Sequence, residues 1–332
     1  MKIIKIIILL ILISFNNQIL ADEHTFKDWV KNFKIYALKK NISEEIFNKT
    51  MSNITFLPNV IKYDRFQPEF YEDTNTYIKK RTSKKKVKQG IEIYEKNKKF
   101  INHIDKKFSV EKELLLSLMG IETNFGNYLG KMDIISSLAT LSFDKRRSDF
   151  FTNELITLLQ LVEEGIIDHK ILYGSWAGAF GNFQFMPTTI KNYAIDYDKN
   201  DIIELKSIED SFASAANYIN LIGWNKKQPC FIQIELKSNT PKNLLNTSAK
   251  KINNKKKFKY LKKYVINNEK YEIDDDYIAA IITPDKNIIP NSENLKPAFI
   301  VFENYEKILQ WNRSLRFALA VCTLKSKLSN AL

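Results

Sequence analysis

One stretch, Leu114–Gly130, constrains the fold of this chain more than any other, and it reads LLLSLMGIETNFGNYLG. On a helix, Leu115, Leu118 and Glu122 have the spacing i, i+3 and i+7, so they share one face, which should turn toward the core. A carboxylate on such a face loses solvation, which raises its pKa toward the range that a general acid needs. Gly126 marks the place where the helix should end. A Glu buried in a structural ion pair is the alternative, and this stretch alone favours the ion pair.

Size and composition are those of a folded protein. The chain has 332 residues, of which 44% are hydrophobic, so it can bury one large core or two modest ones. Nine glycines are few for this length and argue against a dinucleotide-binding or low-complexity architecture. The excess of 51 basic over 38 acidic residues, a net charge of +13, suits an anionic partner such as nucleic acid, a membrane surface or an acidic polymer. Solvated lysines are the alternative, and we attribute most of the charge to them.

The first residues predict a secretory signal peptide. Lys2 and Lys5 precede the apolar run Ile6–Phe15, and Ala21 is a small residue suited to cleavage. The run is too short to predict a membrane span. No bacterial lipid anchor is expected, because the first cysteine of the chain is Cys230. We therefore expect a soluble periplasmic protein, and this location argues against nucleic acid as its partner.

The two cysteines leave two interpretations open. In an oxidising periplasm Cys230 and Cys322 could form a disulfide, but their spacing does not give their distance in space. Two unpaired thiols are the interpretation that we favour. Together with three scattered histidines, the cysteines form no zinc-binding pattern.

Helical spacing dominates the N-terminal part of the chain. Residues 22–50 carry apolar side chains at helical intervals, with a helix start at Ser43, and residues 91–108 form a second helical segment. The basic run Lys79–Lys88 precedes this second segment. We expect the run to form a solvated helix face, and contact with a polyanion is the alternative.

Ser109 is expected to cap the helix that carries Glu122. Residues 133–165 are again helical by their spacing, and the pair Arg146 and Arg147 stands out between two apolar groups there. An arginine offers a planar fork to carboxylates, so this pair is either a ligand contact or a surface pair.

A second dense stretch, Gly174–Thr189, reads GSWAGAFGNFQFMPTT and interleaves small and aromatic residues with Ser175 and Gln184. Buried polar side chains of this kind must hydrogen-bond something, and a polar ligand is one answer. Core packing of a tight helix pair is the other. Pro187 predicts the start of a helix.

An acidic loop follows this stretch. Its oxygen-bearing residues alternate as they do at the start of a calcium loop, at Asp196, Asp198, Asn200 and Ile202, with Asp210 further on. The glycine of such a loop is absent, since Asp201 stands at its position, and the Glu that usually ends the loop is absent too. A solvated acidic turn is the alternative that this pattern favours.

The character of the sequence changes at residue 230. Alternating apolar residues predict strands at Phe231–Leu236, Tyr271–Ile273, Tyr277–Thr283 and Ala298–Phe302. Turns rich in Lys and Asn separate them, so we expect a small α+β insertion here. Tyr305–Leu328 returns to helical spacing.

An ordered set of motifs connects these stretches. The motifs are GIETNFG at 120–126, LATLSF at 138–143, GSWAGAFG at 174–181, QFMP at 184–187, NY at 217–218, GW at 223–224 and WNRS at 311–314. Through them the chain resembles the lytic murein transglycosylases of the B type, glycoside hydrolase family 103. The resemblance covers residues 25–328, and it overturns the preference for a structural role of Glu122.

The resemblance implies a mainly α (α+β) fold with a lysozyme-like helical catalytic core. Together with the predicted signal peptide and strands, it gives the expected division of the chain: a signal peptide at 1–21, an N-terminal helical region at 22–108, the catalytic core at 109–229, the α+β insertion at 230–301 and a C-terminal helix at 302–332 that returns to the core. Peptidoglycan glycan strands are the implied partner, and no protein partner is indicated. The implied chemistry requires no cofactor, although a structural calcium ion is implied for some members.

The family cleaves the β-1,4 bond between N-acetylmuramic acid and N-acetylglucosamine and forms a 1,6-anhydromuramyl end without adding water. Glu122 would protonate the glycosidic oxygen and then take the proton from the C6 hydroxyl. One carboxylate would thereby replace the two of most glycosidases. A muramidase that adds water and a non-catalytic peptidoglycan-binding protein are the alternatives.

The same resemblance assigns further site residues. Ser175 would hydrogen-bond near the catalytic carboxyl or the substrate N-acetyl group, and Arg146 and Arg147 would meet stem-peptide carboxylates. The residues expected along the saccharide cleft or near the active site are Gln184, Phe185, Tyr218 and Asn312. Phe317 stands where relatives often carry Tyr. The expected calcium ligands are Asp196, Asp198, Asn200, Asp210 and the carbonyl of Ile202.

Overall fold

Helices are the main elements of the computed structural model, which describes residues 25–67, 71–266, 271–286, 289, 293 and 295–332. The predicted signal peptide lies outside these residues. Within them, no helix combines the length and the apolar character that crossing a bilayer requires. In chain order the helices are α1 (25–38), α2 (Glu44–Met51), α3 (Pro58–Arg65), α4 (Thr74–Arg81), α5 (Lys84–Lys96), α6 (Lys98–Phe108), α7 (Lys112–Thr123), α8 (Ile134–Phe143), α9 (Ser148–Glu163), α10 (Pro187–Tyr193), α11 (Ile208–Leu221), α12 (Phe258–Leu261), α13 (Glu303–Trp311) and α14 (Leu315–Ser329).

Short strands accompany the helices. In chain order they are β1 (Met132–Asp133), β2 (Tyr173–Gly174), β3 (Phe231–Ile234), β4 (Leu245–Asn246), β5 (Lys256–Lys257), β6 (Ile278–Ile282) and β7 (Ala298–Phe302). β1 and β2 form an antiparallel ribbon. The larger sheet has the order β3-β7-β6-β4, and β5 also pairs with β6. Only β4 and β6 run parallel among the strand pairs of the described residues.

The chain divides into two compact units. The first unit takes residues up to Arg65, Leu129–Asn192 and Lys199–Glu204. The second unit takes Phe66–Tyr128, Tyr193–Asp198 and Leu205–Leu332. Each unit therefore combines separate parts of the chain, and the division into regions at residues 108, 229 and 301 stays a prediction.

Two apolar helices, α8 and α9, pack together in the first unit. α8 reads IISSLATLSF and is buried along nearly its whole length, as is typical of a helix that is apolar on all sides. Its N-cap is Asp133, whose Oδ1 accepts a hydrogen bond from the Ser136 backbone N–H at 2.6 Å. Thr140 Oγ1 accepts another from the Leu57 backbone N–H at 3.0 Å. The helical prediction for residues 133–165 is confirmed, with a break between α8 and α9.

In the second unit, α7 packs against α14. A buried ion pair fixes α14, since Arg316 Nη2 lies 2.7 Å from Asp285 Oδ1 and the two side chains are only 3% and 7% exposed. Thr74, at the start of α4, donates its hydroxyl to the same carboxylate oxygen at 2.5 Å. Removing one partner would leave a buried charge without compensation, so this network holds α4 and α14 in one arrangement.

The sheet of the second unit shares an apolar cluster with α12. Alternate residues of each strand face the same side of a sheet, and the cluster follows this period of two. Its members include Ala279 and Ile281 of β6, Ala298, Ile300 and Phe302 of β7, and Phe258 and Leu261 of α12. The strands predicted at Phe231–Leu236, Tyr277–Thr283 and Ala298–Phe302 are confirmed as β3, β6 and β7.

The strand predicted at Tyr271–Ile273 is wrong. These residues have irregular backbone, and the Tyr271 hydroxyl donates a hydrogen bond to the Gln233 carbonyl oxygen at 2.7 Å. Both Tyr271 and Ile273 pack on the apolar cluster as partly buried side chains. Their apolar character therefore reflects packing against the sheet instead of pairing within it.

The preference for unpaired thiols is also wrong, because Cys230 and Cys322 form a disulfide. Their Cα atoms are 6.2 Å apart, although 92 residues separate them in the sequence. Cys230 directly precedes β3 and Cys322 lies in α14, so the bond ties the sheet to a buried helix. The spacing of the two cysteines in the sequence does not predict that they lie close together, because only the fold brings their segments into contact.

Candidate active site

Glu122 lies in the last turn of α7, the helix predicted from the apolar run. Residues Leu114–Gly120 are buried, and Glu122 itself is half-buried. The helix begins at Lys112 with Glu111 as its N-cap, so the cap predicted at Ser109 is wrong. Ser109 instead ends α6 in the left-handed conformation, which lets the chain turn before α7 begins.

The chain reverses its direction directly after this turn of α7. Asn124, Phe125 and Gly126 have φ angles of +53°, +59° and +81°, so the helix ends at Thr123, ahead of the predicted glycine. A left-handed backbone is uncommon for a bulky residue such as Phe, and residues of this kind cluster at functional sites. Thr123 Oγ1 accepts a hydrogen bond from the Gly126 backbone N–H at 3.0 Å and stabilises the reversal.

The Phe125 ring packs between α7 and α5. A Cβ at Gly120, inside α7, would lie 2.6 Å from Phe125 Cζ, and a Cβ at Gly90, inside α5, would lie 3.2 Å from the same atom. Only 6% of Phe125 is exposed. The two glycines therefore make room for the ring, and the ring holds the end of α7 that carries Glu122.

The Glu122 carboxyl accepts a hydrogen bond from Trp311, whose Nε1 lies 2.9 Å from Glu122 Oε1. An indole N–H only donates, and the carbonyl oxygen of a carboxylic acid accepts a hydrogen bond more strongly than its hydroxyl oxygen does. In the acid form of Glu122 this contact therefore favours the proton on Oε2. Trp311 belongs to the motif WNRS, but the sequence pattern assigns it no role.

The helix predicted over Tyr305–Leu328 is interrupted, and the interruption positions Trp311 at the end of α13. Asn312 has an extended backbone, with φ −140° and ψ 121°, and Ser314 caps α14 by accepting the Phe317 backbone N–H at 3.2 Å. Asn312 is thus the half-buried residue that follows Trp311. Phe317 is buried at the start of α14, with 3% of it exposed.

Tyr218 lies in an aromatic stack. Its ring centroid is 4.2 Å from that of Tyr193 and 5.0 Å from that of Trp311, and its hydroxyl donates to the Gln310 carbonyl oxygen at 3.1 Å. Burial, and next the neighbouring Tyr193 phenol, raises the pKa of Tyr218 to about 12, so its hydroxyl stays a neutral donor at physiological pH. The stack supports the indole that holds Glu122. Since only 8% of Tyr218 is exposed, its contact with a saccharide stays a prediction.

Glu122 lines a cleft of about 420 Å³ in the second unit. It is the single carboxylate among the described residues that line the cleft. Lys86, half-buried on another wall, donates from Nζ to the Gly120 carbonyl oxygen at 2.6 Å. Burial, and then the charge of Arg81, lowers the pKa of Lys86 from 10.5 to about 8. Other lining residues are Lys80, Ser83, Lys85, Asn124 and Tyr128.

Ser175 lies in the first unit, directly after β2. Its Oγ accepts hydrogen bonds from the backbone N–H groups of Ala179 at 3.0 Å and Ala177 at 3.3 Å. A hydroxyl whose lone pairs are both engaged still carries a proton that it can donate. The turn is closely packed, because a Cβ at Gly178 would lie 2.4 Å from Leu138. The contact of Ser175 with a catalytic carboxyl or an N-acetyl group stays a prediction.

Gln184 and Phe185 follow in the same unit. Gln184 has a left-handed backbone, with φ +50°, and its Nε2 donates to the Gly181 carbonyl at 3.0 Å and to the Leu129 carbonyl at 3.3 Å. Phe185 exchanges two backbone hydrogen bonds with Phe180 and is only 2% exposed, which leaves little of its ring for a ligand. Their roles along a saccharide cleft stay predictions. The helix start predicted at Pro187 is confirmed as that of α10.

Arg146 and Arg147 converge on Asp64 of α3, in the first unit. Arg146 Nε donates to Asp64 Oδ2 at 2.8 Å, and Arg147 Nη1 donates to Asp64 Oδ1 at 3.1 Å. The Asp64 side chain is 1% exposed, while the two arginine side chains are 45% and 40% exposed. A buried carboxylate therefore holds both arginines with part of each on the surface. No sequence pattern singles out Asp64, and the contact of the arginines with stem peptides stays a prediction.

Three of the five predicted calcium ligands come together in the second unit. Each offers one carboxylate oxygen, and these oxygens lie within 4.8 Å of one another: Asp196, Asp198 and Asp210. Asn200 and Ile202 belong to the first unit, where Asn200 Oδ1 accepts the Ile202 backbone N–H at 2.9 Å. Asp201 has φ +69°, so it takes the conformation for which a glycine was expected.

The family described as Transglycosylase SLT domain matches residues 25–326. The chain belongs to the transglycosylase SLT family. This assignment confirms the resemblance drawn from the ordered motifs, which run through the same residues as the match.

Among the curated relatives of this family member is membrane-bound lytic murein transglycosylase B of Escherichia coli (strain K12). The two are 36% identical over 151 residues, which are 45% of this chain and 42% of that relative. The match thus spans less than half the length of the relative. It supports the family and leaves the activity, substrates and partners of the whole protein to be proposed.

Solved structures of SLT transglycosylases agree with the fold. SltB3 of Pseudomonas aeruginosa in complex with NAG-NAM-pentapeptide is 28% identical to this chain and superposes with a TM-score of 0.80. The match covers 92% of this chain and 79% of the SltB3 chain. Its complex with NAG-anhNAM-pentapeptide has a TM-score of 0.79. The E. coli lytic transglycosylase SLT35 in complex with calcium is 24% identical with a TM-score of 0.73, and 93% of each chain is covered. The predicted lysozyme-like, mainly helical fold is confirmed.

The packing around Phe125 yields a stability prediction for Gly120→Ala. In an open helix this change stabilises by about 1 kcal/mol. Here the new methyl group meets a confined ring, and overpacking of a buried site costs about 1–3 kcal/mol. We expect the free energy of unfolding, measured by urea denaturation, to fall by about 1–2 kcal/mol.

Phe125→Leu provides the control, because it removes the ring atoms that the new methyl group would meet. The two changes together should cost less than the sum of the separate changes. A Gly120→Ala variant as stable as the wild type would contradict the confinement of the ring.

Proposed function

We propose that this protein is a periplasmic peptidoglycan lytic transglycosylase. It cleaves the β-1,4 bond between N-acetylmuramic acid and N-acetylglucosamine and leaves a 1,6-anhydromuramyl end, with Glu122 as acid and then base. The hydrogen bond from Trp311 to Glu122 carries this proposal, because it fixes the orientation of one half-buried carboxyl in a cleft. Membership in the SLT family and the saccharide ligands named for the SltB3 structures support it.

The orientation of the proton follows from the donor. Since the Trp311 indole occupies Oε1, the acid form of Glu122 presents its proton from Oε2. That proton passes to the glycosidic oxygen as the bond from this oxygen to C1 breaks. After the transfer Glu122 is a carboxylate, and the indole hydrogen bond stabilises its new charge.

The second half of the reaction needs a base and a nucleophile. The Glu122 carboxylate takes the proton from the C6 hydroxyl, whose oxygen forms a bond to C1 and closes the anhydro ring. The substrate N-acetyl group shares the positive charge at C1 between the two steps. Glu122 returns to its acid form, no water is consumed, and the proton balance is complete.

The cleft supports a mechanism with one carboxylate. Most glycosidases need two carboxyl groups, one to protonate the leaving group and one to activate water or to form a covalent intermediate. Among the described residues that line the cleft, Glu122 has no such companion. This composition favours closure by the C6 hydroxyl over attack by an activated water.

The residues of the first unit have the chemistry that the proposal assigns to them. Ser175 keeps a hydroxyl proton that it can donate to an N-acetyl oxygen or a carboxyl group. Arg146 and Arg147 expose part of their guanidinium groups, which suit the carboxylates of a stem peptide. Gln184, Phe185, Tyr218 and Asn312 complete the proposed binding set.

A periplasmic location fits two features of the chain. Residues 1–21 have the composition of a signal peptide. The disulfide between Cys230 and Cys322 is of a kind that forms and persists in oxidising compartments.

We further propose that Asp196, Asp198 and Asp210 bind a structural calcium ion. Three carboxylates whose oxygens lie within 4.8 Å repel one another, and calcium prefers oxygen ligands of this kind. A bound ion would neutralise the repulsion and fix the loop that leads into α11. The calcium named for the SLT35 structure supports the assignment.

Glu122→Gln tests the proposed reaction. Glutamine keeps the size and accepts the indole hydrogen bond but has no acid proton, so we expect turnover to fall by about 10³-fold or more. Purified sacculi are the substrate, and mass spectrometry of the released muropeptides is the measurement. Wild-type protein should release anhydro ends.

Two other outcomes would contradict the proposal. Reducing ends in place of anhydro ends would indicate a muramidase that adds water. Binding of sacculi without any turnover by the wild type would indicate a peptidoglycan-binding protein.

Trp311→Phe tests the positioning of the acid. The ring remains in the stack while the N–H is lost, and a hydrogen bond to a charged group contributes about 1.5–3 kcal/mol. We expect kcat on sacculi to fall by about 10- to 100-fold while KM changes little.

Trp224→Phe is the matched control for this change. Trp224 Nε1 also donates to a glutamate of the second unit, Glu111 Oε2, at 2.5 Å, but Glu111 caps the opposite end of α7. Equal activity of the two variants would remove Trp311 from the positioning of Glu122.

The calcium proposal predicts a thermal shift. Ligand at 100-fold its Kd stabilises a protein by about 2.7 kcal/mol, which corresponds to a Tm increase of several degrees. We expect this increase with calcium over EDTA in the wild type and in Asp201→Asn, and its loss in Asp198→Asn. Equal Tm values of the wild type with calcium and with EDTA would contradict the site.

A further inference from the structure

In the structure, the basic run Lys79–Lys88 forms one wall of the Glu122 cleft. The run contains six lysines, one arginine and no carboxylate. It forms the end of α4 and the start of α5, and three of its lysines line the cleft: Lys80, Lys85 and Lys86. The sequence predicts a solvated helix face here, with contact with a polyanion as the alternative.

Local helix stability does not account for these lysines. Lys85 and Lys86 lie in the first turn of α5, where the helix dipole favours negative side chains, and no acidic residue occupies that turn. Lys86 is also half-buried, so its charge is partly deprived of water. Charged groups that conflict with their local environment are expected at functional sites.

The charges in the cleft are unevenly compensated. Lys80 pairs with Glu72, which also pairs with Arg81. Lys86 donates to a neutral carbonyl, that of Gly120, and Lys85 has no carboxylate partner among the described residues. The cleft is therefore lined by three lysines and one carboxylate, a composition that attracts an anion.

The remaining lining suits a sugar. Tyr128 is 73% exposed and offers an aromatic face, while Gln89 and Asn124 offer amide groups for hydrogen bonds. Cations beside an aromatic face and amides match a sugar that carries a carboxylate. A neutral oligosaccharide would leave the lysines without a partner.

We propose that Lys85 and Lys86 bind a carboxylate of the glycan substrate and so select acidic muramyl glycans over neutral ones. The proposal rests on the function proposed above. The carboxylate is either that of the lactyl ether on a peptide-free muramic acid or one carried by its stem peptide. Both sources present the same chemistry to an ammonium pair next to Glu122.

Binding measurements in a Glu122→Gln background test this selectivity without turnover. The probes are a peptide-free muramyl glycan oligomer, the same oligomer with its lactyl carboxyls converted to neutral amides, and an oligomer with stem peptides. The Glu122→Gln protein with all its lysines in place should bind an acidic oligomer roughly tenfold more tightly than the amide form. The acidic oligomer that shows the preference identifies the source of the carboxylate.

Lys85→Gln with Lys86→Gln should abolish this preference and leave the affinity for the neutral oligomer unchanged. Lys88→Gln is the matched control, since Lys88 is an exposed lysine of α5 outside the cleft lining. It should retain the full preference. Lys85→Gln alone keeps the test informative if the double variant misfolds, because Lys85 is exposed and its loss leaves the Lys86 hydrogen bond intact. This single variant should reduce the preference about threefold.

Several results would overturn the proposal. They are a preference that survives in the double variant and an equal loss of acidic and neutral binding in Lys85→Gln. A DNA oligonucleotide serves as a fourth probe. If the double variant loses only its binding of DNA and keeps the preference, the lysines form a polyanion surface instead. Failure of the proposed function is separate from these outcomes. If sacculi yield no anhydro ends while the charge preference is still lost in the double variant, the reaction is wrong and the carboxylate site stands.

Discussion

The hydrogen bond between Trp311 and Glu122 connects two segments that are 189 residues apart, and the candidate site depends on it. It requires α7 to end directly after Glu122 and α13 to end at Trp311. The reversal through Asn124 and Phe125 meets the first requirement, and the extended backbone of Asn312 meets the second. An indole held by a stack of aromatic rings has little freedom to turn away, so it fixes the carboxyl to which it donates.

The sequence predicted the elements of this arrangement better than their ends. The spacing of Leu115, Leu118 and Glu122 was sufficient to predict α7, because a buried helix face repeats with the helical period. The end of α7 was placed at a glycine, since the left-handed conformation is easiest for glycine. Asn124 takes this conformation first, and the buried Phe125 ring stabilises the turn through contacts that no local pattern contains.

Pairs that are distant in the sequence could not be predicted for the same reason. Asp64 gave no sign that Arg146 and Arg147 would converge on it, and the spacing of Cys230 and Cys322 gave no distance. The motif WNRS identified the segment around Trp311, but only the fold gives its partner. Periodicity reports which face of an element is buried, whereas the partner of a polar side chain depends on the path of the whole chain.

The nature of the partner separates structural charges from functional ones in this protein. Asp285 is matched by the opposite charge of Arg316, and both side chains are buried. Such groups stabilise a single arrangement. The indole at Glu122 and the carbonyl at Lys86 are neutral, so they orient a charge without cancelling it. Charges that are oriented in this way within one cleft can still act on a ligand, and this physical difference is the reason for proposing the reaction at the wall between α5 and α7.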